Sequence, residues 1–341
     1  MLAPEAARSS LTKGRSVPEQ PCPMRTEFQR DRDRIVHAKS FRRLKHKTQV
    51  FIAPAGDHYR TRLTHTLEVS LIARTIARAL CLNEDLAEAV ALGHDLGHTP
   101  FGHLGEDVLD DCLMAIDATG DGFHHAMQSL RVVDLLETRE NGAVGPGLNL
   151  TWEVRDGIRQ HSGGGRPGTV EGCIVQLADR IAYLNHDIDD AVRAAVIAPG
   201  EIPSGVLRIL GDRHSQRINT MVADVIDTYG ACGMVGFSSA VGAVADELEA
   251  FMFDRVYLGP ATVAERDKAA RLLQLLFGFY LEHPAELADP FGRTVGDGQV
   301  RPCLARADLA RAAADYVAGM TDRFAIEQFN KYFVPSPSSI R

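Results

Sequence analysis

Between Ala91 and Leu109 the chain reads "ALGHDLGHTPFGHLGEDVL", which places His94, Asp95, His98, His103, Glu106 and Asp107 within nineteen residues. Imidazole and carboxylate together hold divalent metal ions and move protons near neutral pH. His94 and Asp95 diverge by about 100° on a continuous helix, but at a helix end both side chains can turn toward one ion. His65 lies near the start of the preceding helical segment. Asp179 sits in the apolar stripe of "QLADRIAYLNHDIDD", where an unpaired carboxylate is costly to bury. These four form a His, His-Asp, Asp set from three helices. On a six-coordinate ion they leave positions for water and substrate, whereas a tetrahedral structural zinc would be closed. His103 and Glu106, three apart, touch on one helical turn, and a carboxylate that orients an imidazole raises its basicity. His98 follows His94 by four and would lie one turn further along the same side if the helix continued through Gly97 and Pro100. Asp107 belongs to neither set.

Positioning these groups requires helices that meet at their ends. "THTLEVSLIARTIARAL" sets Leu67, Leu71, Ile72, Ile76, Ala79 and Leu80 along one broad apolar stripe, and "NEDLAEAVALGHDLG" opens on the N-cap Asn83 and stops at Gly97. Segments beginning at 124, 169, 215, 261 and 306 also repeat apolar residues at three and four. No long alternating segment argues for a central sheet, so a mainly α fold is expected. "IAPAGDHYR", "RENGAVGPGLNL" and "HSGGGRPG" are the expected loops. Residues 1–24, rich in Ser, Pro, Ala and Gly without periodicity, are expected as a flexible N-terminal arm. Residues 25–200 follow as the catalytic core, 201–332 as a helical C-terminal part packed on it, and 333–341 as a tail.

The 341 residues, 45% hydrophobic and 24% charged, have the composition of a soluble globular protein. Apolar stretches are interrupted well short of the roughly 20 residues a membrane span needs, and the N-terminus lacks a secretory apolar core, so a cytoplasmic protein without a membrane partner is expected. Six scattered cysteines with no C-x-x-C pair suggest neither disulfides nor a thiolate metal site. The net charge of -8 argues against a general nucleic-acid binder, yet residues 25–47 hold nine Lys/Arg against three Asp/Glu. Alone, that run is a solvated helix face laced with ion pairs; beside a phosphate site it becomes a basic mouth.

Five blocks in order, "RTEFQRDRDRIVHAKSFRRLKHKTQVF", "TRLTHTLEV", "GHDLGHTPFGHLGE", "ADRIAYLNHDIDDA" and "DYVAGMTDRFA", resemble the deoxyguanosinetriphosphate triphosphohydrolase-like proteins, a bacterial dNTPase branch of the HD-domain metal-dependent phosphohydrolases. The likeness covers roughly residues 24 to 332. A bare His-Asp pair is a weak signal, whereas five ordered blocks are a strong one. The resemblance implies an HD-domain helical fold with additional C-terminal helices and one divalent ion on His65, His94, Asp95 and Asp179. Mn²⁺ or Mg²⁺ is the first choice, and Fe²⁺, Co²⁺, Ni²⁺ and Zn²⁺ are compatible with the donors. It further implies hydrolysis of a dNTP substrate between the 5′ oxygen and the α-phosphorus, giving the deoxynucleoside and tripolyphosphate.

Residue roles follow from the same resemblance. His103 and Glu106 form the proton-handling pair, and His98 reaches the α-phosphate. His125 lies near the phosphates, although Ala126 stands where the family usually has Asn and the neighbouring His124 competes for the position. Asp179, Tyr183 and Asp187 share a helix face by spacing; by resemblance Tyr183 packs on the sugar edge and Asp187 accepts the 3′-hydroxyl. Gln49 also meets the sugar, Arg62 binds phosphate, and Arg180 with the basic run adds positive charge. Relatives further imply a homo-oligomer with a dNTP activator. Two other readings remain open. An HD-type phosphohydrolase acting on a monophosphate, cyclic or signalling nucleotide explains the metal set but not the Tyr183/Asp187 face. A nucleotide or single-stranded nucleic-acid binding protein explains the basic run, but 6% aromatics, one Trp and no basic-aromatic interleaving disfavour it.

Overall fold

Capping residues decide where the helices that carry the site begin. A computed structural model describes residues 2–49, 60–139, 147–257, 260–287 and 305–335, with backbone alone for 260–263. In it Thr26, Thr61, Asn83, Thr169 and Thr321 each accept a backbone N–H with a side-chain oxygen, a cap worth about 1 kcal/mol. The helices are α1 (Glu27–His37), α2 (Lys39–Arg43), α3 (Arg62–Ala79), α4 (Glu84–Gly93), α5 (His103–Met114), α6 (His125–Arg131) and α7 (Trp152–Gln160). They continue as α8 (Val170–Arg193), α9 (Ser204–Leu210), α10 (His214–Cys232), α11 (Ser239–Met252), α12 (Pro260–Glu282), α13 (Arg306–Ala318) and α14 (Asp322–Phe333). No strand occurs among the described residues, so the expected mainly α fold is found. The helical period read through 306–329 is interrupted because Thr321 caps a new helix.

Two hydrophobic cores hold this array. The first joins α1, α3, α4, α7 and α8 with α9–α11, through residues such as Phe28, Ile76, Leu86, Ile158, Ile181, Met221 and Leu248. The second joins α5 to the C-terminal helices α12–α14 through Phe101, Leu109, Leu273, Tyr280, Val317 and Ala325. Leu109 is fully buried, and truncating such a residue to Ala costs about 2–5 kcal/mol. The cores do not divide where composition suggests, because α9–α11 pack with the first core rather than with the C-terminal helices. The apolar stripe read on α3 is also rotated: Ile72 and Ile76 are buried, but Leu67 and Leu71 are exposed. The buried face instead takes His65, Thr66, Val69 and Ser70, because polar residues turn inward to build the site.

The N-terminal arm, expected to be flexible, is strapped to the first core. Ala7 N–H donates to Glu171 and Asn83 Nδ2 donates to the Ala7 carbonyl, while Lys13 N–H and Thr12 Oγ1 donate to Glu153. Tertiary polar contacts carry no sequence period, so composition alone could not show them. The basic run is corrected as well. Arg15, Arg30 and Arg34 pair with Glu19, Glu27 and Asp31, Arg32 pairs with Asp33 and Glu88, and Arg25 pairs with Asp33. Four of the nine basic residues of the run are therefore paired, and two of them, Arg30 and Arg34, tie the arm to α1 through Glu19. The described cysteines are all free. No helix among the described residues is long and apolar enough to cross a membrane. The loop residues 51–59 and 140–146, like the tail residues 336–341, lie outside the described residues.

Candidate functional site

Helix ends bring the site together. Arg62 and His65 come from the first turn of α3, and His94 and Asp95 follow directly on α4. His103 opens α5, His125 opens α6, His161 follows α7, and Asp179 alone projects from mid-helix, in α8. The turn between α4 and α5 lies against α6 because residue 97 is glycine: a Cβ there would stand 2.1 Å from the Ser129 backbone nitrogen. Ser129 fastens the same turn, donating its hydroxyl to the His94 carbonyl at 2.6 Å and accepting Gly97 N–H at 2.8 Å.

The four metal candidates converge. His65 Nε2 lies 3.0 Å from Asp179 Oδ1 and 3.7 Å from Asp95 Oδ2; His94 Nε2 lies 3.3 Å from Asp95 Oδ1 and 3.8 Å from Asp179 Oδ1. His94 donates Nδ1–H to the Ala91 carbonyl at 2.6 Å, which leaves the Nε2 lone pair facing the cluster. That Nε2 is buried and has no hydrogen-bond partner, and an orphaned imidazole nitrogen facing two carboxylates fits a divalent ion. Burial would raise both carboxylates, but His94, His98 and Arg62 hold Asp95 well below the usual range. The hydrogen bond from His65 and the charge of His94 likewise hold Asp179 down.

The residues expected to handle protons form a second cluster. Glu106 accepts from His103 Nδ1 at 3.0 Å, and from both the ring Nδ1 and the backbone N–H of His125 at 2.9 and 2.8 Å. Despite burial, these bonds keep its pKa far below the ordinary carboxylate value. His98, His103, Glu106 and His125 also have metal-compatible spacing, but both Glu106 oxygens lie against imidazole nitrogens. His103 has 70% of its side chain exposed, whereas His125 is buried. His98 stacks on His125 with centroids 4.1 Å apart, and burial followed by the charge of Arg62 depresses its pKa strongly. His124 caps α6, accepting Ala126 N–H on Nδ1 at 3.3 Å, so His125 is the histidine directed into the site.

The expected substrate residues are placed unevenly. Arg62 is buried and donates Nη1–H to Asp95 at 2.9 Å, while its Nε and Nη2 have no partner. Gln49 lies beside Gly102, and its buried Oε1 has no partner. Tyr183 donates its hydroxyl to Glu249 at 2.6 Å. Asp187 is buried beneath the Tyr257 hydroxyl, which donates to its Oδ2, and its Oδ1 lies 2.6 Å from His186 Nδ1. Arg180 departs from expectation: its Nη2 is held by Asp246 and Glu249 of α11, at 2.6 and 2.7 Å.

An HD-domain model matches residues 62–184 and a phosphohydrolase-associated domain model matches 235–331. A deoxyguanosinetriphosphate triphosphohydrolase-like protein of Caldanaerobacter subterraneus is 51% identical, over 99% of this chain and 94% of its own. The chain belongs to this family. Proteins of the same description from Desulfatibacillum aliphaticivorans, 48% identical over 98% of this chain and 95% of theirs, and from Bordetella pertussis, 40% identical over 97% and 96%, extend the match. The HD-domain match contains all four metal candidates and the His103, Glu106 and His125 set. It ends before Asp187 and Glu249.

Two histidines at the site escape sequence reading. His161 is buried, donates Nδ1–H to the Ile158 carbonyl at 2.7 Å, and turns Nε2 to within 3.1 Å of His125 Nε2. It also has metal-compatible spacing with His94 and Asp95. Burial and the neighbouring His94 and His125 push its pKa down to about 3. It repeats the His94 arrangement, an imidazole fixed on the carbonyl three residues back at a helix C-terminus, but its position at the edge of a Gly-rich loop hides this. His186 approaches His65 Nδ1 with Nε2 at 2.8 Å and so orients the His65 ring. Its spacing of seven from Asp179, only about 20° off the same face, is the signal that could have found it.

Proposed function

We propose that the chain is a metal-dependent dNTP triphosphohydrolase that releases tripolyphosphate, acting in the cytoplasm as a homo-oligomer that a second dNTP activates. The observation that carries the chemistry is the join of two sets: a four-donor His/Asp cluster and a carboxylate-oriented, solvent-facing imidazole meet across one turn, residues 94–106. His65, His94, Asp95 and Asp179 would hold a divalent ion, Mn²⁺ or Mg²⁺ for preference, and it would supply charge neutralisation for an α-phosphate and a more acidic water. Arg62, with Nε and Nη2 unpartnered, offers two N–H groups to phosphate oxygens. The site also lies at the N-termini of α3 and α5, whose dipoles favour an anion.

His103 takes the proton-donating role because it is accessible. Glu106 fixes Nδ1–H, leaving Nε2 to deliver a proton to the departing 5′ oxygen. His98 and the buried His125 stand behind it toward the phosphates. Tyr183, anchored through its hydroxyl to Glu249, presents its ring as a wall against the sugar, and Asp187 accepts a sugar hydroxyl in competition with Tyr257 and His186, which already lie against its two oxygens. Arg180 has no part in the proposal while it is bound by two carboxylates.

The test is product analysis of the full chain with Mn²⁺ against all four dNTPs and their ribonucleotide counterparts, with and without a second dNTP. Equimolar deoxynucleoside and tripolyphosphate is the expected outcome. Orthophosphate or pyrophosphate as the sole inorganic product would move the chain to another class of HD phosphohydrolase.

A further inference from the structure

The polar atoms of the segment "DYVAGMTD", residues 315–322, hold three pieces of the site. Asp322, the first residue of α14, accepts the Phe101 N–H at 3.0 Å on Oδ1 and the Thr48 N–H at 2.8 Å on Oδ2, which also accepts the Thr48 hydroxyl. Phe101 and Gly102 both have left-handed φ, 62° and 65°, and lead directly into His103. For a non-glycine residue that conformation costs about 1–2 kcal/mol and persists only where its surroundings hold it. Thr48 adjoins Gln49 and bridges to Thr61, the cap of the helix that carries Arg62 and His65.

The same segment grips the other active-site elements. Lys47 donates Nζ–H to the Ala318 carbonyl at 2.8 Å and to the His98 carbonyl, and Arg43 donates to the Gly319 carbonyl at 3.0 Å. Asp315 accepts Arg131 Nε and Nη2, both at 2.8 Å, and Gln128 Nε2 at 3.0 Å. Gln128 and Arg131 lie in α6, the helix that begins with His125.

We propose that Asp322 is a positioning residue: it locks the left-handed Phe101–Gly102 turn through one oxygen and the Thr48–Gln49 segment through the other, setting His103 over the leaving-group oxygen. This rests on the dNTP triphosphohydrolase reading for its substrate. It assigns the C-terminal helices a part in proton transfer, while the helices that carry the metal candidates pack in the first core.

The experiment compares full-length wild type, Asp322→Asn and Asp308→Asn, the last an exposed carboxylate of α13 without contact to the site. In Asp322→Asn one accepting oxygen becomes an N–H group facing an N–H donor. A fall in kcat of about 10- to 100-fold is expected, with Mn²⁺ affinity by calorimetry within about 2-fold of wild type. Asp308→Asn should leave all three quantities, kcat, KM and Mn²⁺ affinity, within about 2-fold. Thr48→Val, which removes only one hydroxyl bond, serves if Asp322→Asn does not fold; it should raise KM more than it lowers kcat. An unchanged kcat in Asp322→Asn, a parallel loss of Mn²⁺ binding, or a Thr48→Val indistinguishable from wild type would overturn the proposal. A wild type that releases no tripolyphosphate would instead overturn the functional reading on which it rests.

Discussion

The two halves of the site are built differently. The half expected to hold the metal is mostly buried: His65, His94 and Asp95 have almost no exposure, Asp179 keeps 22% of its side chain exposed, and Ala91, His186 and Arg62 fix the first three. It hangs on α3, α4 and α8, all in the first core. The half expected to handle protons opens outward through His103 alone, exposed on α5, a helix of the second core, while Glu106, His98 and His125 are buried. An ion needs preformed donors and low solvent competition, whereas a proton donor needs access to a leaving group that arrives with the substrate. The contrast therefore separates what must be rigid before substrate binds from what must be reachable when it does.

The sharpest way to break this contrast is to remove a metal donor. Asp179→Asn should abolish tripolyphosphate release by at least about 1,000-fold and reduce bound Mn²⁺ measured by elemental analysis, since loss of a first ligand affects both. Retention of stoichiometric metal would dissolve the distinction. His103→Gln should cost about 100- to 10,000-fold in kcat while metal content stays at the wild-type level. If metal is lost with His103, the two sets are one.

Much of this division was legible from residue types and spacing. His103 and Glu106 are one turn apart, so local geometry suffices for that pair, whereas His65 and Asp179 join His94 and Asp95 in the sequence only through donor type and the resemblance of the flanking blocks. What escaped depends on partners distant in sequence. Arg180 reads as a phosphate ligand until Asp246 and Glu249 of α11 occupy it. The arm reads as flexible until Glu171 and Glu153 receive its backbone. Burial orders Asp187 and Tyr257 into one pair that no spacing rule links. His161 lies where two helix ends cross, and only the fold shows the crossing.

His161 sits between the halves and sharpens the comparison. His161→Asn should lower kcat by about 10- to 100-fold, the usual range for a group that orients others at a metal site. Comparing Mn²⁺ affinity in that variant shows which half His161 serves: a change confined to kcat places it with His125, and a matching loss of affinity places it with His94.

The smallest expected effect concerns Lys47, buried under the seam between the halves. Burial pushes its ammonium from 10.5 down to about 7. Its folded value is the lower one, so the unfolded chain binds more protons between about pH 7 and 10.5, and stability from this group rises with pH across that window. Lys47→Met should flatten the rise in denaturant midpoint between pH 7 and 9 relative to wild type. An unaltered slope would mean that Lys47 is charged in the folded protein throughout.

Where the new bond forms is the central claim, and oxygen labelling tests it most directly. Hydrolysis of a dNTP in H₂¹⁸O with Mn²⁺ should place one ¹⁸O in tripolyphosphate and none in the deoxynucleoside, as attack at the α-phosphorus with departure of the 5′ oxygen requires. Label in the 5′-hydroxyl, or release of labelled orthophosphate with dNDP, would contradict the assignment of His103 to the leaving oxygen.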